Sequence, residues 1–130
     1  MIDSINFDFG KAQIFKDFVV FEMFEGVHIT PEHNQILEEI VEQYFKGRPF
    51  VYITHRKHSY SVDPSIYFKT SKIENLAGFA VVAGVPVAKA NAEVEKLFLS
   101  KPFEIFRDIN SAISWAKLII NNKQKGITSS

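Results

Sequence analysis

Residues 50–54 read F-V-Y-I-T, a short run of aromatic and β-branched side chains that is typical of a buried strand. Two similar runs follow it, F-A-V-V-A at residues 79–83 and P-F-E-I-F at residues 102–106. Segments with helical spacing separate the three runs, and another follows the last. Because strands joined through helices of about ten residues are parallel, the chain from residue 50 onward predicts a β-α-β-α-β-α unit with right-handed crossovers.

Three of the four predicted helices begin at a capping threonine or aspartate, which is followed in two cases by a proline at the first helical position. The first helix ends at Gly47, which can adopt a left-handed conformation, and Pro49 prevents its continuation. The predicted starts are Thr30-Pro31 for the first helix, Asp63-Pro64 for a helix over residues 64–75, and Asp108 for the last helix, with a further helix near residues 89–99.

The sequence before residue 30 contains three predicted strands, at residues 4–9, 12–16 and 18–24. Their connections are short, and Asp8-Phe9-Gly10-Lys11 has the composition of a hairpin turn, so these strands are expected to be antiparallel. The resulting prediction is an α/β fold with a single domain over residues 1–122. It is a mixed sheet with antiparallel N-terminal strands, followed by β-α-β-α-β-α parallel units, with helices packed on the sheet. The remainder, residues 123–130, is predicted to be a polar tail.

Composition excludes several classes of protein. The 130 residues include no cysteine, which excludes disulfide frameworks, thiolate zinc sites and cysteine nucleophiles. The net charge is zero, whereas a nucleic-acid-binding protein would carry a clear basic excess. There is no apolar run of about 18 residues to span a membrane and no signal-peptide pattern at the start, so the expected location is the cytoplasm.

The order of elements resembles the STAS family, which includes bacterial anti-sigma-factor antagonists and cytoplasmic domains of sulfate transporters. Residues 79–117 carry most of the likeness, because F-A-V-V-A is followed by A-N-A-E-V-E-K-L-F, P-F-E-I-F-R-D and I-N-S-A-I-S-W-A. The resemblance, which is strongest to small stand-alone STAS-like proteins, implies a regulatory domain that binds another protein. It also implies a phosphorylated serine at the start of the helix after the central parallel strand. The sequence there is S-V-D-P-S-I, which differs from the family's Asp-Ser-Ser-Gly type of motif.

Residues 54–63, T-H-R-K-H-S-Y-S-V-D, hold the densest group of reactive side chains. His55, His58 and Asp63 are metal-ligand types, but a specific site needs three or four convergent ligands, and no metal is predicted. Ser59 or Ser61 with His58 and Asp63 supplies the residue types of a catalytic triad without the G-x-S-x-G elbow or an evident oxyanion hole. Asp63 has a structural explanation as the cap of the next helix.

Two hypotheses of function remain for this stretch, with a small hydrolase as a third and weaker one. The first is a non-enzymatic regulatory or protein-interaction module without a cofactor, which also forms a homodimer. The second is a carrier for a small anionic or apolar ligand at loop 54–65, since ligands bind beyond the carboxyl ends of parallel strands. Phosphorylation of Ser59, Ser61 or Ser65 stays open. The residues expected to make the contacts are Arg56, Lys57, His58, Tyr60, Ser61 and Ser65.

The aromatic content, with 13 phenylalanines, has two interpretations. Large rings can fill the interface between a sheet and its helices. They can also form a dimer surface or an apolar ligand groove if some of them face outward.

Overall fold

The N-terminal strands form an antiparallel meander in the computed structural model, which describes residues 1–124. These strands are β1 (Asp3–Phe7), β2 (Gly10–Ile14) and β3 (Phe18–Met23). A side chain at Gly10 would collide with the carbonyl oxygen of Glu22 on β3, so glycine permits the close approach of these two strands. The predicted hairpin and the predicted strand direction are both confirmed.

The first helix starts and ends where its capping signals predicted. After the two-residue strand β4 (His28–Ile29), the chain makes a 3₁₀ turn at Pro31–His33 and continues as α1 (Asn34–Tyr44). The backbone N–H of Thr30 donates to Nδ1 of His33 at 2.9 Å. Gly47 has a φ of 76°, the left-handed conformation expected of a glycine that ends a helix.

The second half of the chain alternates strands and helices as the sequence predicted. All strands that join the main sheet here are parallel to their neighbours. The elements in chain order are β5 (Phe50–Arg56), β6 (Ser61–Val62), α2 (Ile66–Thr70), β7 (Leu76–Ala83), α3 (Pro86–Glu95), β8 (Phe103–Phe106) and α4 (Ile109–Gln124).

The main sheet has six strands in the order β1-β2-β3-β5-β7-β8, and β4 and β6 form a separate parallel pair. One face of the main sheet packs against α1 and α2 and against Ala92 of α3, and the other face packs against α4. The connections between the parallel strands β3, β5, β7 and β8 run through α1, α2 and α3 on one face of the sheet. Right-handed crossovers between parallel strands in sequential order all lie on the same face. Helix α4 follows the edge strand β8 and makes no crossover, and it packs on the opposite face of the sheet.

An aromatic row crosses the sheet beneath α1 and α2. The rings of Phe21, Tyr52, Phe79 and Phe103 come from four adjacent strands and stack with centroid distances of 5.2, 4.5 and 5.2 Å. All four side chains are buried. Most of the phenylalanines on the sheet therefore fill the interface between sheet and helices, which is the first of the two interpretations of the aromatic content.

Several boundaries differ from the sequence predictions. Helix α2 has five residues, not the twelve predicted over 64–75, because the chain turns after Thr70 so that Leu76 can pair with Phe50. Strand β5 continues two residues beyond Thr54, and α3 begins at Pro86, not near residue 89. Helix α4 continues to Gln124, so the predicted tail of residues 123–130 begins inside a helix, and residues 125–130 lie outside the described part of the chain.

Candidate functional site

The loop after β5 is ordered by backbone hydrogen bonds to the segment around β4. Gly26 N–H donates to Ser59 O at 2.8 Å, Ser61 N–H donates to Val27 O at 3.0 Å, and Asp63 N–H donates to Ile29 O at 2.8 Å. This pairing makes residues 61–62 a strand, where the sequence predicted only a loop. The segment thus has a defined backbone position at the carboxyl end of the parallel strands.

A groove of about 890 Å³ lies at this end of the sheet. Residues 57–61 form one of its walls, and the start of α3 with Val85, Val87 and Asn91 forms the other. His55, Val82 and Gly84 from the ends of β5 and β7 line it between these walls. This is the position where open α/β sheets bind ligands, and its size is in the range of binding clefts.

Lys57 and His58 of the loop both lie next to the carboxylate of Glu22. Lys57 Nζ lies 3.2 Å from Glu22 Oε1, and His58 Nε2 lies 3.7 Å from Glu22 Oε2, while about half of the Lys57 and His58 side chains stays exposed. His55, on the same strand end, is half-buried. Burial and the charge of Lys57 lower the pKa of His55, and Glu22 opposes them. The groove therefore combines an accessible lysine with a histidine that favours its neutral form.

Arg56 does not lie on the loop surface, where a contact with a partner was predicted. It is the last residue of β5, and its side chain is only 6% exposed. The guanidinium points inward and makes a two-pronged ion pair with Glu95 of α3, with Nη1 donating to Oε2 at 2.9 Å and Nη2 donating to Oε1. The strand continues two residues further than predicted, so the alternation of side chains directs Arg56 into the fold.

Glu95 accepts a third hydrogen bond, from the buried hydroxyl of Tyr67 on α2. Burial lowers the pKa of Arg56, but the hydrogen bond to Glu95 and the nearby charge outweigh it, so the pKa of Arg56 is raised overall. Burial and the charge of Glu95 raise the pKa of the Tyr67 hydroxyl well above its ordinary value. Both groups thus keep their protons at physiological pH, and the cluster joins β5, α2 and α3.

Tyr60 is half-buried between the groove and the interior. Its hydroxyl is 3.0 Å from Thr54 Oγ1, and the Arg56 guanidinium carbon lies 5.5 Å from the centre of its ring. Both Arg56 and Tyr60 line the groove and also an interior cavity beneath α1 and α2. Of the six residues predicted to make contacts, Arg56 and Tyr60 therefore lie in the wall between the groove and the cavity.

The structure brings Ser61 to a histidine that the sequence did not place near it. Ser61 Oγ lies 2.6 Å from Nδ1 of His28, its partner across the pair β4–β6. His58, the histidine considered for a triad, contacts Glu22 instead. A pairing of residues 33 positions apart has no local sequence signal.

Asp63 caps the turn before α2 and not the helix itself, which begins at Ile66 with Ser65 as its N-cap, later than predicted. One oxygen, Oδ1, accepts hydrogen bonds from the backbone N–H of Ser65 at 3.0 Å and from its hydroxyl at 2.8 Å. These hydrogen bonds from Ser65 lower the pKa of the Asp63 carboxyl. Ser65 is therefore part of the turn that opens α2.

Two negative findings concern residues 1–124. No group of three or more His, Asp or Glu side chains converges there in a way that would hold a metal ion. None of the helices in this part has the length and apolar character needed to cross a membrane.

Helix α3 and the turn after it carry an exposed apolar stripe. The sequence predicted a helix here from Ala90, Val94 and Leu97 but not that these side chains face solvent. The buried side chains of α3 are Ala92 and Glu95, while Val87 and Val94 on its outer side are 63% and 56% exposed, and Leu97 in the following turn is 82% exposed. Val87, Ala90 and Val94 follow the i, i+3, i+7 spacing of a single helical face, and Leu97 continues the apolar surface from the 3₁₀ turn Lys96–Phe98 that follows α3. That spacing was visible in the sequence, but it gives no indication of whether the stripe faces the sheet or the solvent.

Comparison with known proteins supports the fold. No family model matches the chain, and no curated protein matches it. Among solved structures, an uncharacterised protein of the DUF3478 family from Shewanella loihica, which has a SpoIIAA-like fold, aligns with a TM-score of 0.54. The alignment covers 82% of this chain and 91% of that protein at 15% sequence identity. The chain therefore has a SpoIIAA-like, STAS-like fold, which confirms the resemblance inferred from the order of its elements.

Proposed function

We propose that this STAS-like chain is a non-enzymatic regulatory module that binds a protein partner. The binding surface is the groove between residues 57–61 and α3, together with the apolar stripe of Val87, Ala90, Val94 and Leu97. The observation that carries the proposal is this stripe of three large exposed apolar side chains, which begins at the groove with Val87 and continues away from it through Val94 and Leu97. Neighbouring exposed apolar side chains of this kind are typical of an interaction surface.

The charges around the stripe indicate the chemistry of the partner. Lys89 is exposed on α3 and Lys96 in the turn after it, and Lys57 and Arg107 line the groove. These four cations outnumber the two acidic side chains of the same surface, Glu25 and Glu93. A partner segment with apolar side chains on one face and acidic side chains beside it would complement this arrangement. An amphipathic acidic helix has these properties.

The six residues singled out in the sequence have different roles in this proposal. Lys57, His58 and Ser61 line the groove and contact the partner directly. Arg56 and Tyr60 support the loop from inside, and Ser65 holds the start of α2 through Asp63. A second copy of the chain is one partner that this surface could accept.

Affinity capture from cells that express the chain tests this proposal. Lys57→Glu reverses a charge at the groove, and Val94→Glu places a charge on the stripe. Leu118→Glu is a matched control, because Leu118 is 57% exposed on α4, on the opposite face of the sheet. Quantitative mass spectrometry should find proteins that wild type and the control retain and that both Lys57→Glu and Val94→Glu lose.

Sedimentation of the purified chain separates the homodimer from other partners. A dimer that Val94→Glu dissociates and Leu118→Glu preserves would assign the surface to a second copy. If wild type, Lys57→Glu and Val94→Glu retain the same proteins and sediment alike, the surface is wrongly assigned.

A further inference from the structure

The three helices that connect the parallel strands lie side by side on one face of the sheet. The strand order β3-β5-β7-β8 places α1 between the first two strands, α2 between the next two and α3 last, so α2 is the middle helix. Hydrogen bonds hold α2 to both neighbours. Thr70 Oγ1 donates to Asn34 Oδ1 of α1 at 2.6 Å, and the Tyr67 hydroxyl donates to Glu95 of α3.

Helix α1, on one side of this layer, is acidic on its outer face. Glu39 and Glu42 are exposed on the side of the helix opposite its buried residues Leu37 and Val41. The helix contains no basic residue, and the first base after it is Lys46. Within residues 1–124 neither glutamate forms an ion pair. The outer face of α1 therefore presents uncompensated negative charge.

Helix α3, on the other side of the layer, is basic beside its apolar stripe. Lys89 and Lys96 are seven residues apart, so they lie on the same side of the helix and its following turn, and both are exposed. Glu93 is the one exposed acidic residue of α3, since Glu95 is buried. In the described part of the chain neither lysine has an acidic partner within ion-pair distance.

The middle of the layer is apolar. Phe68 on α2 is 57% exposed, and its ring packs edge to face against Phe98 at a centroid distance of 5.9 Å. Leu97, the residue before Phe98, is also exposed. The outer surface of the three helices thus runs from acidic through apolar to basic. Such an order is self-complementary, because a twofold rotation about its middle brings the acidic side of one copy over the basic side of the other.

We propose that the outer face of α1, α2 and α3 is a homodimer interface with twofold symmetry. Phe68 lies near the axis and packs against the second copy, and α1 of each copy faces the basic side of α3 of the other. This interface leaves the groove at the ends of the strands open. It shares Leu97 with the apolar stripe but does not depend on the groove, so it goes beyond the proposed binding of another protein.

The charge of the whole chain favours a second copy as the occupant of this face. Residues 1–45 carry nine acidic and two basic side chains, whereas the rest of the chain carries six acidic and thirteen basic ones. A second copy therefore supplies each sign of charge where the first copy has the opposite one. Because the net charge is zero, two copies approach each other without overall repulsion.

Sedimentation equilibrium of the purified chain tests the interface. A face of three short helices is at the small end of specific interfaces, so we expect a dissociation constant in the micromolar range that rises with salt. Phe68→Glu places two like charges near the axis and should weaken the dimer by about 10-fold or more. Leu118→Glu on the opposite face of the sheet and Lys57→Glu in the groove should dimerise like wild type. A wild-type chain that stays monomeric up to about 1 mM, or Phe68→Glu with wild-type affinity, would overturn the proposal.

Two charge-reversed variants test the pairing of α1 with α3. Glu39→Lys/Glu42→Lys makes α1 basic, and Lys89→Glu/Lys96→Glu makes α3 acidic. Each variant alone opposes like charges on both sides of the axis, so its dimer should weaken by about 10-fold or more. In an equimolar mixture both contacts join opposite charges again, and a heterodimer of near wild-type affinity should form. Variants that do not associate when mixed, or that dimerise alone like wild type, would rule out this pairing. Neither result bears on partner binding at the groove, which Lys57→Glu tests separately.

Discussion

Arg56 at the end of β5 and Glu95 in the last turn of α3 form a buried, two-pronged ion pair across 39 residues of sequence. Because α3 buries only Ala92 and Glu95 on its inner face, this pair is a large part of what holds α3 against the sheet. The same helix presents its apolar stripe to solvent. The position of the proposed partner surface therefore depends on a polar interaction beneath it.

Removal of one member of this pair should destabilise the fold strongly. Glu95→Ala leaves the Arg56 charge buried without its partner, which costs about 3–5 kcal/mol in comparable buried pairs. The exposed neighbour Glu93→Ala is the matched control and should change the free energy of unfolding by about 0.5 kcal/mol or less. Urea denaturation measures both variants. A loss for Glu95→Ala as small as that of the control would show that the ion pair does not hold α3.

The double variant Arg56→Met/Glu95→Leu gives the complementary measurement. Apolar replacement of a whole buried ion pair is often neutral or stabilising, so this variant should unfold at about the wild-type urea concentration or above it. A double variant as unstable as Glu95→Ala would mean that the hydrogen bond from Tyr67, and not the ion pair, is the essential contact of Glu95.

Gly78 should tolerate no side chain. A Cβ at this position of β7 would lie 2.8 Å from Trp115 Cη2 and 3.3 Å from Ile119 Cδ1, both on α4. Gly78→Ala should therefore destabilise the fold by about 1–3 kcal/mol, as overpacking of a core does. Gly84→Ala is the control, because the nearest atom to its Cβ is Arg107 O at 3.9 Å, and it should change stability by about 0.5 kcal/mol or less.

Shortening the tryptophan tests the cause of the effect at Gly78. Trp115→Leu removes the ring atom that collides, so the substitutions Gly78→Ala and Trp115→Leu should be less harmful together than the sum of their separate effects. Strict additivity would place the strain somewhere other than at Trp115.

His55 should titrate below its ordinary pKa of 6.5, since burial and Lys57 disfavour its protonated form. As the pH falls, the histidine of the unfolded chain is protonated before His55 of the folded chain. The stability that neutral His55 contributes is therefore complete above about pH 6.5 and is lost as the pH falls through the folded-state pKa. NMR titration should show the midpoint rising in Lys57→Gln and falling in Glu22→Gln. A wild-type midpoint at or above 6.5 would contradict the environment assigned to His55.

The chain order of the strands and helices was predictable because its causes are local. The apolar run at residues 50–54, the caps at Thr30 and Asp63, and the left-handed Gly47 each act within a few residues. Such signals give the kind and direction of each element but mark its ends poorly. For this reason α2 was predicted over twelve residues and has five.

The candidate site was only partly predictable, because its contacts join distant parts of the chain. The sequence predicted a loop over residues 54–65 after a central parallel strand, whereas the structure has residues 54–56 in that strand and residues 61–62 in β6. The sequence could not show that Ser61 meets His28, that Lys57 and His58 share Glu22, or that Arg56 points inward to Glu95. Because β5 extends to Arg56 and side chains alternate along a strand, the Arg56 side chain points into the fold and not onto the loop surface where it was expected.

Local propensity and hydrophobic spacing thus determined the α/β pattern, the antiparallel start and the parallel second half from the sequence alone. Tertiary packing decided which side of α3 faces solvent, where the cavity lies and which charges are buried. The physical reason is that spacing identifies an apolar face but not the surface that covers it. In this fold the small side chain of Ala92 and the buried charge of Glu95 face the sheet, and the larger apolar side chains of α3 remain outside.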